Sequence, residues 1–268
     1  MKKCIISLLL LSFVIITQGC GKNENSEIPL KDKTGTIFFT ANGEDFVRKG
    51  FIDKQGWRIE FDKLFVNIRN PRAYIPESDM PEVILKGSHW VDLAEGGKDA
   101  SPILLGKVEN VKAGNYQSLK FNIRKTKTGE YKGYSIVMKG KAYKKDKSVD
   151  FIIKFNEEID YHGRDGFVGD EVKGLLLPCK STTVEMTFHF DHIFGDAEAK
   201  ADDHINIGSV GFDFFNRFAK KGCVDISQTD MESSNGYNIL VKAIWTLGHL
   251  GEGHCEWSNQ SSLGKIDM

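Results

Sequence analysis

The amino-acid sequence predicts a mainly β fold, an antiparallel β-sandwich with a short helical C-terminal appendage. Three observations point there. Apolar and polar residues alternate with a period of two in segment after segment up to about residue 190, the pattern of strands with one face on a core. Turns rich in Gly, Asn, Asp and Lys separate these segments at the spacing of a sandwich. Only in the last third does the apolar spacing change to a helical period.

Thr36, Ile37, Phe38 and Phe39 open the β body, and a polar turn is expected over 41–44. Trp57, Ile59 and Phe61 then alternate with Arg58, Glu60 and Asp62. The apolar parity moves to Leu64, Val66 and Ile68. One extra residue reverses the face each side chain meets, so the shift predicts a β-bulge near Asp62 and Lys63. Further strands are expected at 82–85, 90–93, 117–123, 134–142, 149–155 and 183–191. Beyond them, Ser209 is placed to cap a helix in which Val210, Phe214, Phe215 and Phe218 share a face, with Gly222 ending it. Residues 233–235 supply caps for a second helix, with Ile239, Leu240, Ala243, Ile244 and Leu247 at helical spacing and Gly248 as its stop. No fixed-period repeat and no linker interrupts 34–268, which reads as one domain.

The N-terminus carries a different message. Lys2 and Lys3 precede an apolar run over 5–16 broken only by Ser7 and Ser12, and Thr17, Gln18, Gly19 and Cys20 follow. The run is too short for a spanning helix and suits a cleaved signal peptide. Its end resembles the lipobox of bacterial lipoproteins, with Thr17 in place of the usual Leu. That resemblance implies a signal peptide over 1–19, cleavage before Cys20 and acyl chains on that residue. Two or more chains anchor a protein stably, at about 0.8 kcal/mol per buried methylene. The expected location is therefore the cell envelope, with the lipid bilayer as partner through Cys20. Gly21 stands where an inner-membrane retention signal often puts Asp, which favours the outer membrane. Residues 20–33 are polar and suit a tether.

Charge and motifs exclude several classes. Lys and Arg total 36 against 37 Asp and Glu, so nothing recommends a nucleic-acid partner. A Gly-x-Ser-x-Gly elbow, a phosphate-cradling loop and a Rossmann fingerprint are all missing, and no enzymatic role is expected. A carboxylate-based hydrolase stays open only because acids are numerous. With Cys4 in the signal and Cys20 lipidated, Cys179, Cys223 and Cys255 remain, so at most one disulfide forms. A Cys179–Cys255 bridge and Cys255 as a metal ligand are the alternatives for Cys255.

The seven histidines are unevenly placed. His189, His192 and His204 fall in one acidic stretch with Asp191, and His249, His254 and Cys255 in a glycine-rich one. Imidazole, thiolate and carboxylate are the ligand set of zinc and copper. The spacing predicts that the end of the 183–191 strand and the 248–255 loop meet. His189, Asp191, His192, His249 and His254 would then surround one ion, zinc or copper. The alternative is an interaction module without metal, binding a protein (a cell-envelope protein, for instance) or a glycan, whose histidines only serve hydrogen bonds.

Residues 107–123 (KVENVKAGNYQSLKFNI) resemble the Ala-Gly-x-Tyr hairpin of secreted bacterial β-sandwich lipoproteins, including the MbnP-like copper-binding group. The segments 43–68 and 91–93 fall in a similar order. Residues 189–196, 211–214 and 251–255 look like a set found in uncharacterised bacterial lipoproteins. The resemblance implies a binding or interaction role and supplies no ligand set for transfer.

Overall fold

In the computed structural model, residues 33–164, 166–167 and 173–259 are described. The expected signal peptide, Cys20 and nearly all of the tether lie outside the described residues. The fold is mainly β, as its sequence predicts, and is built on two principal sheets.

The larger sheet runs in the order Cys223–Ser227, Lys147–Phe155, Ile136–Lys144, Arg58–Tyr74, Ser118–Ile123, Ile159–Gly163 and Glu256–Asn259. The smaller runs Gly253–His254, Gly248–Leu250, Ser181–Phe188, Thr34–Asn42 and Ile103–Lys112. Pairing is antiparallel except where Thr34–Asn42 meets Ser181–Phe188 and where Lys147–Phe155 meets Cys223–Ser227. The inner faces touch through aromatic rings. Phe121 of the larger sheet meets Phe188 of the smaller edge-on, with ring centres 5.7 Å apart. Gly248 packs so closely on Tyr161 that an added Cβ would stand 2.7 Å from the ring. Ile37, Phe39, Leu64, Val66, Phe121 and Phe188 are fully buried between the sheets, each stabilising the fold by about 1.5–3 kcal/mol relative to exposure.

The bulge lies where the parity shift puts it. Arg58–Tyr74 is one strand, and its register against Ile136–Lys144 slips between Phe61 and Lys63. Ile59 before the slip and Leu64, Val66 and Ile68 after it are all fully buried.

Elsewhere the boundaries differ. The expected turn at 41–44 is the end of a strand followed by the helix Glu44–Lys49. The 183–191 strand ends at Phe188 and gives way to a single helical turn, Asp191–Phe194. The first C-terminal helix is Phe212–Asn216, preceded by Gly211 at φ +68° and not capped by Ser209. The buried carboxylate of Asp53 already accepts the Phe212 N–H, at 2.7 Å, the bond a capping serine would otherwise make. The second helix, Tyr237–Trp245, leaves Ile239 43 % exposed, so that residue does not belong to the core. The C-terminal helices are interleaved with strands. Cys223–Ser227 lies between them, and three short strands follow the last helix. Gly248–Leu250 belongs to the smaller sheet and Glu256–Asn259 to the larger, so the chain crosses between sheets over a few residues.

Candidate metal centre

Strand pairing assembles one half of the site. Thr187 lies opposite His249, and His249 opposite His254, across three adjacent strands of the smaller sheet. Residues directly opposite on neighbouring strands have Cβ atoms about 5 Å apart. The ring centres of His249 and His254 are accordingly 4.5 Å apart. The segment expected to be a loop at 248–255 is thus a tight hairpin. The other half follows the end of Ser181–Phe188. The turn leading into the helix at Asp191, closed by the His192 N–H on the His189 carbonyl (3.3 Å), brings His192 back toward His189, with ring centres 5.9 Å apart.

The two halves meet. His189 stacks on His249, and His192 stands 5.1 Å from His249 and 5.9 Å from His254, measured between ring centres. One ring nitrogen from each of His189, His192 and His249 falls within 4.8 Å of the other two. A tetrahedral ion at 2.0–2.1 Å holds ligand nitrogens about 3.3 Å apart, so these rings need close by at most about 1.5 Å to share one. His249 is buried, His189 and His192 are partly buried, and His254 is exposed.

Hydrogen bonds fix which nitrogens are available. Thr246 Oγ1 donates its only proton to the Ala243 carbonyl (3.0 Å), so toward His192 Nδ1 (2.9 Å) it accepts. His192 therefore carries hydrogen on Nδ1 and keeps a lone pair on Nε2. The Thr246 carbonyl accepts from His249 Nε2 (3.2 Å), which leaves the lone pair on Nδ1. That Nδ1 is buried with no hydrogen-bond partner among the described residues. His189 Nε2 faces Glu44 Oε1 at 3.3 Å. In metal sites such outer partners set the tautomer and orientation of each ligating ring.

Electrostatics divides the rings. Burial, reinforced by the neighbouring histidines, lowers His249 to about 2 and His192 to about 4. Both are neutral, the state a metal requires. Burial also pulls His189 down, but Glu44, Asp191 and Glu252 together outweigh it and leave this ring above its ordinary value. Asp191 is raised by burial against the opposing pull of His189, and its Oδ1 is buried without a hydrogen-bond partner among the described residues.

Of the five residues expected around one ion, the structure gathers all four imidazoles and sets Asp191 beside them, where its charge acts on His189. Cys255 is not bridged to Cys179. Its free thiol is buried beside Gly163 and Leu250, and its N–H bonds to the Gly248 carbonyl next to Phe188. Cys179 sits at the opposite end of Ser181–Phe188, about 25 Å away at roughly 3.3 Å per strand residue. Burial pushes the Cys255 thiol up to about 12, so it is a weak candidate ligand.

Two residues near the cluster, Glu44 and Thr246, carry no signal of their role in the sequence. Glu44 is far upstream, and its only local signal was a polar turn. Thr246 has no distinguishing neighbour in sequence. His204, which shares the acidic stretch of His189 and His192, is exposed and lies apart from the converging set. It lines a cavity of about 420 Å³ together with His192 and His254. No protein-family profile, no curated protein and no solved structure matches the chain, so the site is read from its own geometry.

Proposed function

We propose that the protein is a lipid-anchored envelope protein that binds a transition-metal ion, zinc or copper, in a non-catalytic role. The carrying observation is the convergence of three imidazole nitrogens, from His189, His192 and His249, within 4.8 Å inside a largely buried site. His254 stands near enough to be a fourth donor, and Asp191 and Glu44 supply the negative charge that offsets a dication. A metal-free role accounts for the bonds to Thr246. It leaves the orphaned Nδ1 of His249 and the orphaned Oδ1 of Asp191 unexplained, and burying such groups unpaired costs about 1–3 kcal/mol each.

Elemental analysis of protein purified without a His tag tests this. Close to one equivalent of zinc or copper is expected in the native protein, and little in a His192→Gln/His249→Gln variant. A native protein that neither carries nor takes up either metal refutes the reading.

The anchor is proposed from residues 1–20, and no helix among the described residues is long and apolar enough to cross a membrane. Cys20→Ala should release the protein from the outer-membrane fraction or leave its signal uncleaved. Unchanged processing and membrane association would count against lipidation.

A further inference from the structure

His192 and His254 belong to two features at once. They face His249 in the cluster, and they also wall the cavity of about 420 Å³ whose other sides include His204, Ile205, Lys242 and Ala243. His192 is thus both a member of the converging set and part of the cavity wall, so an ion held by that ring would border the cavity. The space is far larger than an ion with one water needs, since a water fills about 30 Å³. It matches small-molecule sites, which run from about 300 to 1,000 Å³.

We infer that this cavity takes a small organic carboxylate that completes the coordination of the bound ion. The inference rests on the metal-binding reading above. His189, His192 and His249 converge, while His254 is exposed on the cavity wall, so the fourth position of a four-coordinate ion faces the cavity and is open to an exogenous ligand in place of His254. Imidazole ligands bring no negative charge to the ion, and Asp191 and Glu44 do not line the cavity. The wall adds the Lys242 ammonium and the exposed His204 imidazole, both able to donate to a carboxylate oxygen. Its one acid is Asp203, whose Oδ1 already accepts the Ile205 N–H as a helix cap. Ile205 and Ala243 offer apolar surface to a short alkyl body. The ligand class is therefore a monocarboxylate with a few carbons behind the headgroup.

Co²⁺ is the probe, because its visible absorption reports the ligands directly. Full-length protein without a His tag is loaded with Co²⁺ and titrated with butyrate, with butylamine as control. A saturable spectral change with butyrate and none with butylamine is expected. Lys242→Ala should weaken the butyrate effect about threefold to fivefold, the size of one exposed charge contact, and leave Co²⁺ affinity unchanged. If Co²⁺ binds but its spectrum ignores butyrate at tens of millimolar, the carboxylate inference is wrong and metal binding stands. An equal butyrate response in Lys242→Ala removes that lysine from the site and overturns the assigned pose. If Co²⁺ itself does not bind, the metal reading falls and takes this inference with it.

Discussion

The imidazoles of His189 and His249 lie face to face, ring centres 3.9 Å apart and planes 13° from parallel. Two imidazolium rings could not share that contact out of water. The arrangement keeps His249 neutral, through burial first and its histidine neighbours second, and leaves the proton to His189 beside Glu44.

The first consequence is a pH-dependent stability. In the unfolded chain His192 and His249 take up protons near pH 6.5, while in the native protein they do so only at about 4 and about 2. The stability they contribute is thus full above pH 6.5 and lost as pH falls below it, at up to about 1.4 kcal/mol per pH unit for each. His189 is shifted the other way, so it offsets part of that loss near neutrality. Urea unfolding of the metal-free protein from pH 7.5 to pH 5 should show the decline. His192→Gln/His249→Gln should flatten it, and matching slopes in the two proteins would contradict the assignment.

Metal should stabilise the native state and chelation should reverse it. Free Zn²⁺ at a hundred times its Kd is expected to add about 2.7 kcal/mol, measured as a shift in the urea midpoint that EDTA abolishes.

Thr246 should matter although it touches no ion. Its hydroxyl accepts from His192 Nδ1, and Thr246→Val leaves that donor unpaired. A loss of about 10–100-fold in metal affinity is expected, as for other outer-sphere partners. Thr246→Ser keeps the hydroxyl and should restore most of it. Competition titration against a chromophoric chelator measures both.

The cysteines should differ in reactivity. Cys223 is exposed, whereas Cys255 is buried with its thiol pushed up to about 12. Iodoacetamide at pH 8 should label Cys223 promptly and Cys255 only after unfolding. Peptide mass mapping that finds the two equally modified in native protein would show that the hairpin opens.

Asp53 should be a structural keystone. Its carboxylate accepts backbone N–H bonds from Gln55 (2.9 Å), Trp57 (2.8 Å) and Phe212 (2.7 Å), joining the approach to a long strand with a C-terminal helix. Asp53→Ala strands these donors and should cost about 3 kcal/mol or more, with Asp53→Asn costing less. Thermal unfolding of the two variants separates the losses.

The legible and illegible parts of the molecule divide along physical lines. The long strands and the bulge at Phe61 and Lys63 are written in period-two burial, which survives in any window of six or seven residues. The histidine segments announced themselves through density of one residue type. The two-residue and three-residue strands around His249 and His254 carry no period at all. Ser209 carries the local signal of a cap for Phe212–Asn216, but the acceptor is Asp53, from far upstream. Glu44 and Thr246 were invisible for the same reason: their roles exist only across tertiary contacts.

The crossing of the chain from Gly248–Leu250 to Glu256–Asn259 ties completion of the histidine cluster to the docking of the last strands. Two of the four imidazoles arrive with the segment that laces the sheets together. A chain whose last strands have not yet docked holds only the His189–His192 pair, half of the proposed donor set. The full set of imidazoles therefore exists only in a molecule whose last strands have docked.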